Sequence, residues 1–240
     1  MPNNILDEGV VKKLKQGTYR FVDYKMVRLD ESFLNDIVSL QELIMSSLKN
    51  KEMYRPASIE LITKCLSEKG MSLGIMAEGR LIAFRMTYIP GESQENHGFD
   101  IGLSGEDLLK VVQFEGVCVN PEYRINRLAS RLIKKSVDLI KTTGLIHVVA
   151  TCFPGNYPML KTFFENNFQI CSLKIKYGWM LRYILYLNAE RDVNYSSKKE
   201  VIVNHSDIEA QKKLLKTGFT GTSIQSINND YGIVYIKQQQ

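Results

Sequence analysis

The residues best placed to do chemistry lie in one run, positions 117–131, VCVNPEYRINRLASR. Before it, Phe114-Glu115-Gly116-Val117-Cys118-Val119 has the aromatic and β-branched content of a strand. Asn120-Pro121 ends that strand, because proline has no N–H to give to a ladder. Arg124 and Arg127 follow in a short loop. Then Leu128, Leu132, Ile133, Val137 and Ile140 recur near helical spacing, with Arg131, Lys134 and Lys135 between them. A strand that runs through a tight basic loop into a helix aims backbone N–H groups and a positive helix end at one point. That arrangement suits a phosphate. The plainer alternative is a strand, a turn and an amphipathic helix with a solvated basic face.

The elements that must position this run read as follows. Residues 1–17 form a polar lead-in, and residues 18–29 a first strand. Asp30 caps a helix with Phe33, Leu34, Ile37, Leu40, Ile44 and Leu48 on one face, which Tyr54-Arg55-Pro56 breaks. A second helix over 58–68 ends at Gly70. Strands at 72–77 and 80–89 join through Glu78-Gly79, a hairpin signal. Residues 90–107 are a long polar insertion, whose Glu92, Glu95, Asn96 and Asp100 either face a cationic acceptor or are simply solvated. A strand over 145–152 leads through Phe153-Pro154-Gly155-Asn156 into a helix, and two strands at 169–177 and 179–188 turn at Tyr177-Gly178. Residues 190–200 read as a linker. Beyond it come a short strand at 201–203, a helix between the capping box Ser206-Asp207-Ile208-Glu209 and Gly218, and a last strand at 231–236.

Composition narrows the class. The 240 residues carry a formal net charge of +5, too mild to argue for nucleic acid but compatible with a polyphosphate ligand. No apolar run approaches the length of a membrane span, and the first residues lack an apolar signal core. Cys65, Cys118, Cys152 and Cys171 are scattered, with no CxxC pair and no His/Cys cluster. That spacing favours reduced thiols in a cytoplasmic protein and no metal site. There is no P-loop and no GxGxxG, which weakens a nucleotide-binding reading.

Two motifs resemble the GNAT-type N-acetyltransferases. The family's pyrophosphate loop reads Val-x-Pro-x-x-(Arg/Gln)-x-x-Gly-x-(Gly/Ala), and Val119, Pro121, Arg124 and Ala129 match it. Arg127 replaces the middle glycine, which lets the backbone approach phosphate; it either supplies a cation or turns to solvent. The second signature, Asn-x-x-Ala-x-x-Leu-Tyr-x-x-x-Gly-Phe, is matched at Asn156 and Phe168 in NYPMLKTFFENNF. Phe163 stands where the family often has tyrosine. Asn167 stands at its glycine, tolerably, since asparagine enters the left-handed region a helix C-cap needs. The resemblance spans residues 18–190. It implies an α/β (α+β) fold, a mixed central sheet flanked by helices, with residues 191–240 as a C-terminal strand–helix–strand extension. That tail either packs on the main domain or serves a homodimer through its terminal strand.

The resemblance also implies a reaction, acetyl transfer from acetyl-CoA to an amine of a small molecule or peptide, without metal. Val117, Cys118 and Val119 would pair with the pantetheine arm, and their backbone donors can stabilise an oxyanion. Arg124, Ile125, Asn126, Arg127, Leu128 and Ala129 would hold the pyrophosphate, and Asn156 would meet the arm from the opposite side. An alkyl ammonium is about one-thousandth neutral at pH 7, so a base helps, and Glu115 is the candidate. Its alternative is a strand-end carboxylate paired with a nearby cation. Phe163 cannot protonate the leaving thiolate. Tyr157, Tyr123 or a water would have to, and spacing alone does not choose; Tyr157 is taken as the candidate. A covalent route through Cys152 and His147 is disfavoured, because direct transfer needs neither. The rival function is a non-catalytic acyl-CoA-binding or sensing module.

Overall fold

A computed structural model describes residues 5–67, 70–191 and 199–237. In chain order the strands are β1 (Asp7–Lys15), β2 (Thr18–Arg28), β3 (Leu73–Ala77), β4 (Arg80–Tyr88), β5 (Val111–Val119), β6 (His147–Cys152), β7 (Gln169–Lys176), β8 (Met180–Asn188), β9 (Glu200–Asn204), β10 (Phe219–Ile227) and β11 (Asp230–Lys237). The helices are α1 (Leu34–Ser47), α2 (Ile59–Leu66), α3 (Glu106–Leu109), α4 (Leu128–Ile140), α5 (Tyr157–Glu165) and α6 (Ile208–Lys216). The chain divides into two units, one of residues 1–89 and 113–139 and one of residues 90–112 and 140–240.

In the first unit the strand order is β1-β2-β3-β4-β5, antiparallel throughout. Apolar side chains alternate to two faces, and each face finds a cover. Ile37, Leu40 and Ile44 of α1 and Ile62, Cys65 and Leu66 of α2 pack with Phe84, Met86 and Cys118. Leu128 and Leu132 of α4 pack with Tyr24, Met26, Ile75 and Ala83 on the other face. Asp30 caps a short 3-10 turn, Glu31–Phe33, that leads into α1. Glu78 and Gly79 both have positive φ, 51° and 73°, as the tight β3–β4 hairpin requires. The lead-in expected at residues 1–17 is corrected in part. Asp7–Lys15 forms β1, paired along its length with β2, while residues 1–4 lie outside the described residues. Asp7, Glu8, Lys12, Lys13 and Lys15 mask the alternation there.

In the second unit the order is β6-β8-β7-β10-β11-β9, again with antiparallel pairings. The extension is therefore continuous with β7 rather than separate from it. The joint is narrow: only Gly221 of β10 faces Ile170 of β7. A Cβ at Gly221 would come within 2.9 Å of Ile233 and 3.1 Å of Ile170, so glycine is what lets the strands approach. Gln211 of α6, fully buried, locks the same region. Its Oε1 accepts from the Tyr183 hydroxyl at 2.6 Å and the Tyr235 hydroxyl at 2.8 Å, and its Nε2 donates to the carbonyls of His205 and Asn204. All of its amide is used, as burial demands. The N-cap of α6 is Asp207, not Ser206: Asp207 Oδ1 accepts from Ala210 N–H, while the Ser206 hydroxyl donates to Asn204. Part of the expected linker, residues 192–198, lies outside the described residues, as do Glu68 at the end of the second expected helix and the terminal residues 238–240.

Candidate active site

The chemistry-bearing run of the first unit forms as a strand, a loop and a helix. The β4–β5 register contains a bulge: Met86 faces Gly116 and Thr87 faces Phe114, which leaves Glu115 as the extra residue. A bulge re-aims the side chain it carries. The Glu115 carboxylate accepts a hydrogen bond from Gln113 Nε2 at 2.7 Å, and it acts on the nearby buried Cys65. Among the described residues no lysine or arginine is ion-paired with it.

After β5, Asn120 accepts from Glu122 N–H and opens a 3-10 turn, Pro121–Asn126. Arg127, at the position of the family loop's middle glycine, then adopts φ 56°, ψ 28°, the left-handed region that favours glycine. Position 127 thus takes a conformation that favours glycine although the residue is arginine. α4 starts at the next residue, so its first N–H groups end at this turn. Arg124 donates from Nη2 to the Ser47 hydroxyl at 3.3 Å, a long contact that a phosphate could outcompete. Asn126 is less available: its Oδ1 accepts from Lys12 N–H and its Nδ2 donates to the Lys12 and Tyr123 carbonyls. It pins the loop to β1. Ile125 is exposed, whereas Leu128 is buried beneath the loop with Tyr123.

Sequence reading missed Tyr54. It was read as part of a helix-breaking triplet, yet its hydroxyl lies over β5, 3.5 Å from where a Gly116 Cβ would stand. It donates to Gln41 Oε1 at 2.7 Å, and burial, with Cys118 beside it, pushes the phenol well above its ordinary pKa. No local signal could have linked positions so far apart in sequence. Tyr123 is tied to Glu78, to which its hydroxyl donates at 2.8 Å. Arg85 was missed too. Its guanidinium is fully buried, bonded to Ser136 and Thr87 at 2.6 Å each and stacked over Phe114 at 3.6 Å.

In the second unit Asn156 is the N-cap of α5, its Oδ1 accepting from Met159 N–H at 3.3 Å. Tyr157 follows as the first helical residue. It is 40% exposed, its ring edge-on to Tyr231 at 5.0 Å. Phe163 is buried at 3% exposure against Phe168, and Asn167 takes φ 64°, as the left-handed C-cap reading expects. Of the four polar candidates in the insertion, two are engaged within the fold and two are exposed. Asn96 is buried, donating to the Gly91 and Leu108 carbonyls and accepting from Gly98 N–H. Asp100 pairs with Lys176 at 2.6 Å and Lys174 at 3.1 Å; only Glu92 and Glu95 remain exposed. Burial raises the Cys152 thiol to about 12, which keeps it a poor nucleophile, and His147 bonds through Nδ1 to the Tyr186 hydroxyl. No group of three or more metal-ligating side chains occurs among the described residues.

The family profile described as the acetyltransferase (GNAT) family matches residues 34–168, more than half of the chain. The chain belongs to the acetyltransferase (GNAT) family. It is an acyltransferase of that family, and both sequence motifs fall within or at the end of the matched segment. Known folds agree at low identity. The ribosomal-protein-S18-alanine N-acetyltransferase of Escherichia coli superposes with a TM-score of 0.52 at 13% identity, covering 72% of this chain and 97% of that one. An N-acetyltransferase of Staphylococcus aureus Mu50 gives 0.51 at 14%, covering 69% and 98%. The Salmonella typhimurium protein yncA, solved with its cofactor acetyl-CoA, gives 0.52 at 12%, covering 71% and 96%. No curated protein matches the chain. At these identities the likeness concerns the fold, a mixed α/β arrangement of mostly antiparallel strands flanked by helices. Among the described residues no helix is long and apolar enough to cross a membrane.

Proposed function

We propose that this GNAT acetyltransferase moves the acetyl group of acetyl-CoA directly to an amine of a small molecule or peptide, in the cytoplasm and without metal. The observation that carries the reading is the left-handed Arg127 between β5 and the start of α4. A non-glycine residue held there keeps the loop shape that lets backbone N–H groups reach a pyrophosphate. The residues present fit such a group: the loop residues 124–129 include two arginines, and Arg124 has only a long contact to give up. Acetyl-CoA supplies the activated acyl group and a thiol leaving group. Backbone groups of Val117, Cys118 and Val119 hold the arm along β5 and receive charge on the carbonyl oxygen. Arg124 and Arg127, with the N–H groups of Leu128 and Ala129, hold the phosphates; Ile125 and Asn126 shape the loop. Asn156 lines the arm from the start of α5.

Glu115 takes a proton from the incoming ammonium. The bulge frees its side chain from the ladder, and Gln113 orients one of its oxygens. Phe163 is apolar, and the Tyr123 and Tyr54 hydroxyls donate to Glu78 and Gln41; Tyr157 is the residue proposed to return a proton to the leaving sulfur. The experiment is Glu115→Gln, with thiol release followed against amines at pH 7 and pH 9. Turnover should fall about 10²-fold or more at pH 7 and much less at pH 9, where more of the amine is already neutral. Equal losses at both pH values, or none, remove Glu115 from the mechanism.

A further inference from the structure

A cavity of about 530 Å³ opens at the start of α5 in the second unit, within the range of small-molecule sites. Tyr157 forms one wall. The others come from the extension: Ile224, Ser226, Asn228, Asn229, Asp230 and Tyr231 of the β10–β11 hairpin. No lining residue is cationic, so the cavity is a poor seat for phosphate. It offers instead two aromatic rings set edge to face, a carboxylate, and amide and hydroxyl oxygens. Those are the groups that hold an organic ammonium: ring faces attract it through their quadrupoles, and the carboxylate through charge.

The carboxylate is held in place. Asp230 Oδ2 accepts from Asn204 Nδ2 at 3.0 Å, and Oδ1 lies 3.1 Å from His205 Nε2. The Asn204 hydrogen bond, the Tyr231 backbone N–H and His205 keep it below the usual carboxylate range, so it is ionised at neutral pH. About four acceptor positions exist on a carboxylate; these two side chains and the Tyr231 N–H take three, which leaves one for a ligand. Tyr231 is fixed as well. Its ring stacks on His205 at 4.0 Å, and its hydroxyl donates to the Pro154 carbonyl at 2.7 Å, two residues before Asn156. The extension thus reaches the loop that carries the second family motif and builds a wall beside it.

We propose that this cavity is a subsite for an organic ammonium group, the distal cation of a di- or polyamine acceptor whose other nitrogen is acetylated. The assignment of an acceptor rests on the function proposed above; the binding of an ammonium does not. It gives the extension a role: residues 226–231 select acceptors that carry a second positive charge.

Calorimetry of the full chain with a series of α,ω-diaminoalkanes, in the absence of CoA, tests the subsite apart from turnover. Diamine binding should weaken about tenfold in Asp230→Asn and tighten in Asn229→Asp, which adds a carboxylate to the same wall. In the acetylation assay, the ratio of kcat/KM for a diamine to that for the monoamine of equal length should fall about tenfold in Asp230→Asn. Diamine affinity within twofold of the parent in both variants overturns the subsite, as does a ratio that does not move. CoA binding that weakens in Asp230→Asn while diamine binding does not would place the cofactor there instead. If the parent acetylates no amine but binds diamines in an Asp230-dependent way, the proposed function fails and the subsite stands.

Discussion

Arg127 shows how far a single residue could be read. The family pattern marks position 127 as a departure, and side-chain chemistry offered two roles for it. What the sequence could not show was that the backbone would take φ 56° anyway, because conformation there is set by Tyr123 and Leu128 packing beneath the loop and by Asn126 clamped to β1. Two effects compete in Arg127→Gly. Relief of left-handed strain is worth about 1–2 kcal/mol, and the extra unfolded-state freedom of glycine costs about 0.5–1 kcal/mol. Strain is the larger, so urea denaturation should find the variant more stable by up to about 1 kcal/mol. A loss of more than about 0.5 kcal/mol would mean that the arginine side chain, not the backbone, holds the loop. Arg124 was named from its type and position, and its contact with phosphate is a proposal. Its charge-assisted contact to phosphate should be worth roughly 1.5–3 kcal/mol, so Arg124→Ala should weaken CoA binding at least about tenfold in a calorimetric titration. Affinity within twofold of the parent would move the phosphates elsewhere.

Among the elements, helices and central strands were readable because their apolar periods are clean, as in α1 with Ile37, Leu40 and Ile44. The elements that escaped were those whose own residues hide the strand pattern, although each pairs with the next strand in the chain. β1 looks polar because one edge and much of its surface meet solvent, and β10 is broken up by Thr220, Gly221, Thr222 and Ser223. The insertion at 90–107 was read as long and polar. It contains a 3-10 turn, His97–Ile101, tied down by ion pairs. Burial alone would raise the Asp100 carboxyl, but hydrogen bonds from His97, Lys176 and Lys174 outweigh it and hold it well below its usual range. A depressed carboxylate pKa adds stability above the unfolded value near 3.9, and that stability is lost as pH falls through the folded value. Asp100→Asn should therefore destabilise the protein by about 1–3 kcal/mol at pH 7, and the gap between parent and variant should narrow from pH 6 to pH 3. A gap that stays constant over that range would show that the ion pairs contribute nothing to folding.

At the scale of the whole chain, the family was legible from two partly matched motifs in the right order. The extension's strand, helix and last strand were legible, β10 aside, but the way it joins the unit was not, because that rests on tertiary contacts: Gly221 against Ile170, Gln211 between Tyr183 and Tyr235, and Tyr231 on Pro154. Each is a small polar or glycine feature that means nothing until the strands are paired. The homodimer reading of the tail remains a proposal, to be weighed against the role in acceptor choice given to it here. The most direct test of the account is the reaction. Acetyl-CoA is incubated with the full chain and a panel of mono- and diamines, free thiol is followed, and acetylated amine is measured by mass. The account predicts thiol release that depends on the amine and is matched one to one by acetyl amide. Binding of CoA with no amine-dependent thiol release across the panel would contradict it and leave an acyl-CoA-binding module in its place.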